Sequence, residues 1–138
     1  MKHLLIILSG LSLLFLSCER IDPKYPEGPI VSLYPAADRV INTWEWAYHF
    51  DQGLNRSGEY ADSTLVISDN NIVQICGPGD ACREGTWRLI SKKTRLQFIF
   101  GQQATAYHID MLKQDEMWLS VKDADSVSTV IWQLVSVE

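Results

Sequence analysis

Two of the three cysteines in the chain are spaced for a disulfide. Cys76 and Cys82 flank residues 77–81, a Gly-Pro-Gly-Asp-Ala segment whose composition is typical of a tight loop. Such a loop lets the two sulfurs meet across the base of a hairpin, and closing it stabilises a fold by about 2 kcal/mol. A redox or metal-binding role is the alternative, but the pair has neither Cys-x-x-Cys spacing nor a nearby histidine. We therefore predict a structural disulfide.

The third cysteine, Cys18, follows a segment with the features of an export signal. Residues 1–3 form a short basic start, and residues 4–16 are almost entirely apolar or small. This run is too short to span a bilayer as a helix, which takes about 20 residues. It ends in Phe-Leu-Ser-Cys, which resembles the lipobox of bacterial lipoproteins. The resemblance implies cleavage before Cys18 and lipid on its sulfur, whereas a plain secretory signal would need an Ala-x-Ala-like site, which is not found nearby.

This assignment divides the chain into a signal peptide (residues 1–17), a lipidated cysteine with a tether (18–37) and a folded domain (38–138). Removing Lys2 with the signal changes the formal charge from −5 to −6, which disfavours nucleic acid as a partner. Residues 19–35 contain four of the five prolines and predict a semi-rigid tether. Glu19 is not the aspartate that signals inner-membrane retention, so we expect an outer-membrane lipoprotein on the periplasmic face or at the cell surface.

Patterns for catalysis and metal binding are absent from the sequence. It has no nucleophile elbow, zinc-protease helix, P-loop or dinucleotide-binding motif. His49 and His108 lie on the polar positions of alternating segments, and we expect them to face solvent. Asp123 and Asp125 lack the glycine and distal glutamate of a calcium loop, so a turn explains them better. We therefore predict a protein that is not an enzyme and has no metal and no cofactor.

From Thr43 onward, apolar and polar residues alternate with the period of half-buried strands. A short helical segment at 36–41 precedes them, and turn residues recur every 10 to 15 positions. The pattern predicts eight strands without an intervening helix. The side chains predicted to face inward are Trp44, Trp46, Tyr48, Phe50, Leu65, Ile67, Trp87, Leu89, Leu96, Phe98, Phe100, Tyr107, Ile109, Met111, Met117, Leu119, Val121, Val130, Trp132 and Leu134.

Eight sequential strands with short connections favour an all-β fold, an antiparallel up-and-down β-barrel whose closure removes exposed edges. Several features together resemble the lipocalin-like lipoproteins of Bacteroidota over about residues 38–138. They are Trp44 after the helical segment, Gly53, the strand at 60–67, the Gly-Thr-Trp-Arg-Leu run at 85–89 and the Ile-Trp-Gln-Leu run at 131–134. The resemblance implies a barrel whose open end can hold a small apolar molecule, and it brings no catalytic residues.

The interior of the predicted barrel is rich in aromatic side chains. A barrel of eight strands is either filled by side chains or just wide enough for one ligand, and the sequence leaves both alternatives open. If a pocket exists, we expect it at one end, lined by Trp46, Tyr48, Phe98 and Tyr107. The leading hypothesis is therefore a membrane-anchored binding protein for a small apolar or amphipathic ligand.

An apolar strip is predicted on the outer face of the last two strands, where a barrel in water should be polar. It comprises Trp118, Ile131 and Val135, together with Val137. Either the helical segment at 36–41 folds over the strip, or the strip contacts another protein. The second alternative defines the competing hypothesis, an interaction or inhibitor lipoprotein of the cell envelope that uses the barrel as a rigid scaffold.

Overall fold

The computed structural model of the protein describes residues 22–29, 32–79 and 81–137. The predicted signal peptide and Cys18 lie outside these residues. The elements are α1 (Ala36–Val40), β1 (Asn42–Asp51), β2 (Leu54–Asn55), a 3-10 helix (Ser57–Tyr60), β3 (Thr64–Ile67), β4 (Ile72–Cys76), β5 (Cys82–Ile90), β6 (Arg95–Phe100), β7 (Gln103–Leu112), β8 (Glu116–Lys122) and β9 (Ser128–Ser136). Among the described residues, no helix is long and apolar enough to cross a membrane.

The strands form one closed antiparallel barrel. From β3 to β9, each strand pairs with the one that follows it in the chain. Strand β1 closes the sheet by pairing with both β3 and β9. The two-residue strand β2 pairs only with the end of β1, so the barrel itself has eight strands. The predicted eight-stranded up-and-down barrel is therefore confirmed.

The strand that the sequence predicts at 60–67 begins only at Thr64, because the chain between β1 and β3 folds back on itself. Asn55 Oδ1 accepts hydrogen bonds from the Ser57 backbone N–H at 3.0 Å and from the Ser57 hydroxyl at 2.7 Å. Such a local side-chain bond competes with strand pairing and turns the chain. The 3-10 helix follows, and Tyr60 at its end is brought back against β1.

The barrel has two distinct ends, which we call lower and upper. The lower end carries α1 and the turns at 68–71, 91–94 and 113–115, and the upper end carries the segment 52–63 and the hairpins that follow β4, β6 and β8. Cys76 and Cys82 are directly opposed at the upper end and form the predicted disulfide.

Helix α1 closes the lower end of the core. Ala36 and Val40 are completely buried, and the Trp44 indole Nε1 donates a hydrogen bond to the Val40 carbonyl at 3.0 Å. The helix therefore packs into the barrel core and not over the outer strip formed by Trp118 and its neighbours. Most of the residues predicted to face inward are buried as expected, including Leu65, Leu96, Phe98, Met117, Leu119 and Leu134.

A β-bulge at Ala47 reverses the predicted faces in the second half of β1. The register steps from Trp46 opposite Leu134 to Tyr48 opposite Gln133, so one extra residue lies on β1. An extra residue shifts the alternation of side chains by one. The predictions that Tyr48 and Phe50 face inward and that His49 faces solvent are therefore wrong: His49 lies opposite Trp132 and is only 5% exposed.

A second bulge, at Asp110 in β7, turns Met111 to the outer face, opposite Trp118. Met111 is nevertheless buried, because residues 22–29 cover it. Glu27 forms a parallel bridge with Met111, and its N–H donates to the Asp110 carbonyl at 2.7 Å. A Cβ at Gly28 would lie 2.8 Å from Met111 Cγ, so only glycine allows this approach.

Further contacts fix the same segment to the lower end. Tyr25 is 5% exposed, and its hydroxyl donates to the Lys93 carbonyl at 3.0 Å. The Asp22 carboxylate lies between Arg39 Nη2 at 3.3 Å and Lys93 Nζ at 3.0 Å. The structure thus differs from the predicted tether over residues 22–29, and the folded domain includes Asp22.

Candidate functional site

Six aromatic side chains meet in the upper half of the barrel and form what we call the upper cluster. Its members are Trp46, His49, Tyr60, Phe98, Tyr107 and Trp132. The Trp132 ring lies at the centre, with centroid distances of 4.6 Å to Tyr107 and 5.4 Å to Trp46. Tyr60 is the half-buried outer member, 4.9 Å from Trp46 and 4.5 Å from His49. Rings at these distances are in contact, which favours a filled interior over a preformed pocket.

Two hydrogen bonds to the backbone of His49 hold Tyr60 in place through the 3-10 helix. The His49 backbone N–H donates to the Ser57 hydroxyl at 2.9 Å, and the Arg56 N–H donates to the His49 carbonyl at 2.8 Å. The Arg56 guanidinium also pairs with Glu59 at 2.9 Å. This covering turn is therefore attached to the same bulged strand that carries His49.

Three buried polar atoms in the upper cluster have no hydrogen-bond partner in the protein: Trp46 Nε1, His49 Nδ1 and Trp132 Nε1. The other three indole groups are satisfied by Val40, Ser68 and the Glu116 carboxylate at 3.0, 2.8 and 2.8 Å, respectively. Buried polar groups are normally paired, and one left without a partner costs about 1–3 kcal/mol. A bound molecule that reached the unsatisfied indoles could supply the missing acceptor.

The upper cluster is neutral in charge. Burial lowers the pKa of His49, and Arg56 acts in the same direction, while Asp51 and Glu59 oppose the shift. Burial also raises the pKa of Tyr107, reinforced by Tyr60 and Asp51. Near neutral pH the imidazole is therefore uncharged and the Tyr107 phenol keeps its proton, so the site offers neutral donors and acceptors among apolar rings.

The structure brings together three of the four residues predicted to line a pocket. Trp46, Phe98 and Tyr107 belong to the upper cluster, whereas the bulge places Tyr48 on the outer face, opposite Gln133. The sequence pattern did not indicate His49, Tyr60 or Trp132 as members of the site, although it placed Trp132 on the inner face. The signal that could have identified Tyr60 is the turn-forming Asn55 and Ser57 before it, but no residue type marks the bulge.

The outer face carries a larger apolar surface than the sequence suggested. Tyr48 and Phe50 lie in register with Gln133 and Ile131 on β9, beside Trp118 on β8. We call the following residues the outer patch: Tyr48, Phe50, Trp118, Ile131 and Val135. All are half-buried except Val135, which is 39% exposed.

Among the described residues, no group of three or more His, Cys, Asp or Glu side chains could hold a metal ion.

The fold is similar to that of a lipocalin-like protein from Bacteroides uniformis ATCC 8492, which is known from a crystal structure. The TM-score is 0.56 at 6% sequence identity, and the match covers 72% of this chain and 99% of that chain. No protein-family model matches the sequence, and neither does any curated protein. The lipocalin-like fold that the sequence predicted is thereby confirmed.

Proposed function

We propose that this chain is an outer-membrane lipoprotein, held by lipid on Cys18, whose barrel binds a small apolar or amphipathic ligand at the upper cluster. The observation that carries the proposal is the presence of the unpartnered Trp46 and Trp132 indoles among the rings of that cluster. A ligand with an apolar body and a hydrogen-bond acceptor would satisfy these donors and stack on the surrounding rings.

The charges near the site narrow the class of ligand. The carboxylates of Asp51 and Glu59 both act to raise the pKa of His49, and a single cation, Arg56, pairs with the two of them at 3.9 and 2.9 Å, which leaves a net negative charge there. An anionic group placed beside them would be repelled and would lose its hydration without a partner. The proposed ligand therefore has a neutral polar group, such as a carbonyl or ester.

Access to the unpartnered atoms requires Tyr60 to move, because its ring covers both Trp46 and His49. Tyr60 lies on a single turn of 3-10 helix, which few hydrogen bonds attach to β1. A short surface segment of this kind opens at lower free energy than the strands of the barrel. The covering turn is thus the element through which a ligand would enter.

Binding is tested with Nile red, a neutral dye with an apolar body and a carbonyl acceptor, added to the purified mature chain. The variant Trp132→Phe removes an unpartnered indole, and Trp44→Phe removes one that is bonded to Val40. We expect Trp132→Phe to weaken dye binding about fivefold, as the loss of one hydrogen bond does, and Trp44→Phe to lower stability with little change in affinity. Absence of binding, together with a native mass spectrum of envelope-purified protein that carries no ligand, would refute the proposal.

The lipid anchor is tested separately, by mass spectrometry of the protein purified from membranes. We expect an N-terminal diacylglyceryl cysteine at position 18, and we expect Cys18→Ser to release the protein from the membrane fraction. Retention of residues 1–17 or an unmodified cysteine would contradict this part of the proposal.

A protein partner is the second candidate function, favoured by the outer patch. A photo-reactive residue in place of Trp118 should capture a stoichiometric envelope protein, whereas the same residue in place of the exposed Arg88 on β5 should not. Equal capture at both positions, or none at either, would remove this candidate.

A further inference from the structure

The N-terminal segment meets the barrel at its lower end, far from the upper cluster. Asp22 bonds to Lys93 in the turn between β5 and β6 and to Arg39 on α1, and both elements lie at that end. Tyr25 is buried beside the same turn. The first described residue is therefore fixed in position relative to the barrel.

Cys18 precedes Asp22 by four residues. A chain extends by at most about 3.6 Å per residue, so the Cα atoms of these two residues are at most about 14 Å apart. The ten residues of β1, tilted as in other barrels, give the barrel wall a height of about 25 Å. A lipid on Cys18 therefore reaches the lower end easily and the upper end not at all.

We propose that the lower end of the barrel lies against the lipid surface, so that the upper cluster faces away from the membrane. This inference rests on the lipid anchor of the proposed function. The docked segment, and not a flexible tether, sets the orientation, because only residues 19–21 lie between the lipid and the first fixed residue.

The side chains at the lower end suit a lipid surface better than those at the upper end. Lys24 and Lys92 are exposed there, as are Leu33 at 94% and Tyr34 at 51%. Leu33 and Tyr34 line an open groove of about 450 Å³ together with Lys113. Among the described residues, the lower end carries six carboxylates and six cations: Asp22, Glu27, Asp38, Asp69, Asp115 and Glu116 against Lys24, Arg39, Lys92, Lys93, Arg95 and Lys113. At the upper end, six carboxylates outnumber three cations among the described residues: Asp51, Glu59, Asp62, Glu84, Asp123 and Asp125 against Arg56, Arg83 and Lys122.

The orientation is tested by coupling the mature chain to vesicles through Cys18, which is the thiol left outside the disulfide. A maleimide lipid in vesicles of phosphatidylethanolamine and phosphatidylglycerol serves as the anchor, and lysine acetylation is mapped by mass spectrometry. Each lysine is compared with itself in the soluble, Cys18-blocked protein. We expect acetylation of Lys24 and Lys92 to fall severalfold on coupling, while the lysine of a Val127→Lys variant, in the exposed hairpin after β8, stays unchanged.

A flexible insertion provides the matched control. Twelve glycine and serine residues between positions 21 and 22 lengthen the connection to a mean span of about 22 Å and leave the barrel unchanged. Protection of Lys24 and Lys92 should then be lost. Equal protection at position 127 of the Val127→Lys variant, or no protection of Lys24 and Lys92 in the coupled chain, would overturn the orientation. An unlipidated Cys18 in cells would instead refute the anchor, because the vesicle experiment does not depend on cellular lipidation.

Discussion

Replacing Asp22 by asparagine should destabilise the folded chain by about 2 kcal/mol at neutral pH. The carboxylate is 15% exposed and pairs with Arg39, whose side chain is only 4% exposed. Although burial acts to raise it, hydrogen bonds from Lys93 and Arg39 and the charge of Lys93 hold the pKa of Asp22 below its ordinary value of 3.8. The charged form is therefore the one that the fold stabilises.

The magnitude follows from what each partner loses. Removing one member of a buried ion pair costs about 3–5 kcal/mol, but the amide oxygen of asparagine keeps an acceptor and Arg39 keeps its bond to the Leu112 carbonyl. The Lys93 side chain is 41% exposed, so its pair adds less than about 1 kcal/mol. The expected loss is smaller than that of a fully broken buried pair and larger than that of a surface pair.

Urea unfolding of the mature chain measures this loss, and its pH dependence tests the mechanism. With a slope of about 2 kcal/mol per molar, the midpoint should fall by about 1 M at pH 7. Because the folded pKa is lowered, the stabilisation is present above pH 3.8 and disappears as the pH falls through the lower, folded value. The wild-type and variant curves should therefore converge in acid. A difference in urea midpoint that persists unchanged at low pH, or no difference at pH 7, would refute the role of the Asp22 charge.

Three further predictions concern the upper cluster and one strained turn. The free energy of unfolding should fall as the pH drops below 6.5, because His49 takes up a proton at a higher pH in the unfolded chain than in the folded one. Urea unfolding of His49→Gln should show a weaker dependence on pH. Tyr60→Ala should speed the entry of Nile red in stopped-flow fluorescence, and an unchanged rate would exclude the covering turn as the entry path. Lys92 has a φ of +55° and an exposed side chain, so Lys92→Gly should raise stability by about 0.5–1 kcal/mol in thermal unfolding.

The barrel could be predicted from the sequence because most strands keep a regular alternation. In β6 and β9, for example, Leu96 and Phe98 and then Trp132 and Leu134 face inward as their spacing requires. The disulfide could be predicted because its two cysteines lie at the base of a short loop. Each of these features depends on residues that are close together in the chain.

The face of His49 could not be predicted, because the alternation of aromatic residues from Trp44 to Phe50 favours a strand without a bulge, which the fold does not adopt. The bulge at Ala47 is decided by the pairing of β1 with β9, which joins residues 79 to 92 positions apart. The docking of Tyr25 has the same origin, since its partner Lys93 is distant in sequence and the prolines around it favoured a tether. The local alternation of residues does not specify which residues of two distant segments lie opposite each other.

The two bulges act at opposite ends of the barrel, and each determines what that end can do. At the upper end, the shift at Ala47 exchanges an aromatic interior position for His49 and leaves polar atoms among the rings. At the lower end, the shift at Asp110 turns Met111 outward, where Glu27 and Gly28 pack on it and fix the N-terminal segment. The same device thus supports both proposals: it places His49 beside the unsatisfied indoles at one end and fixes the docked connection to the proposed lipid anchor at the other. Since the two changes lie on different strands, variants that disturb one should leave the other intact.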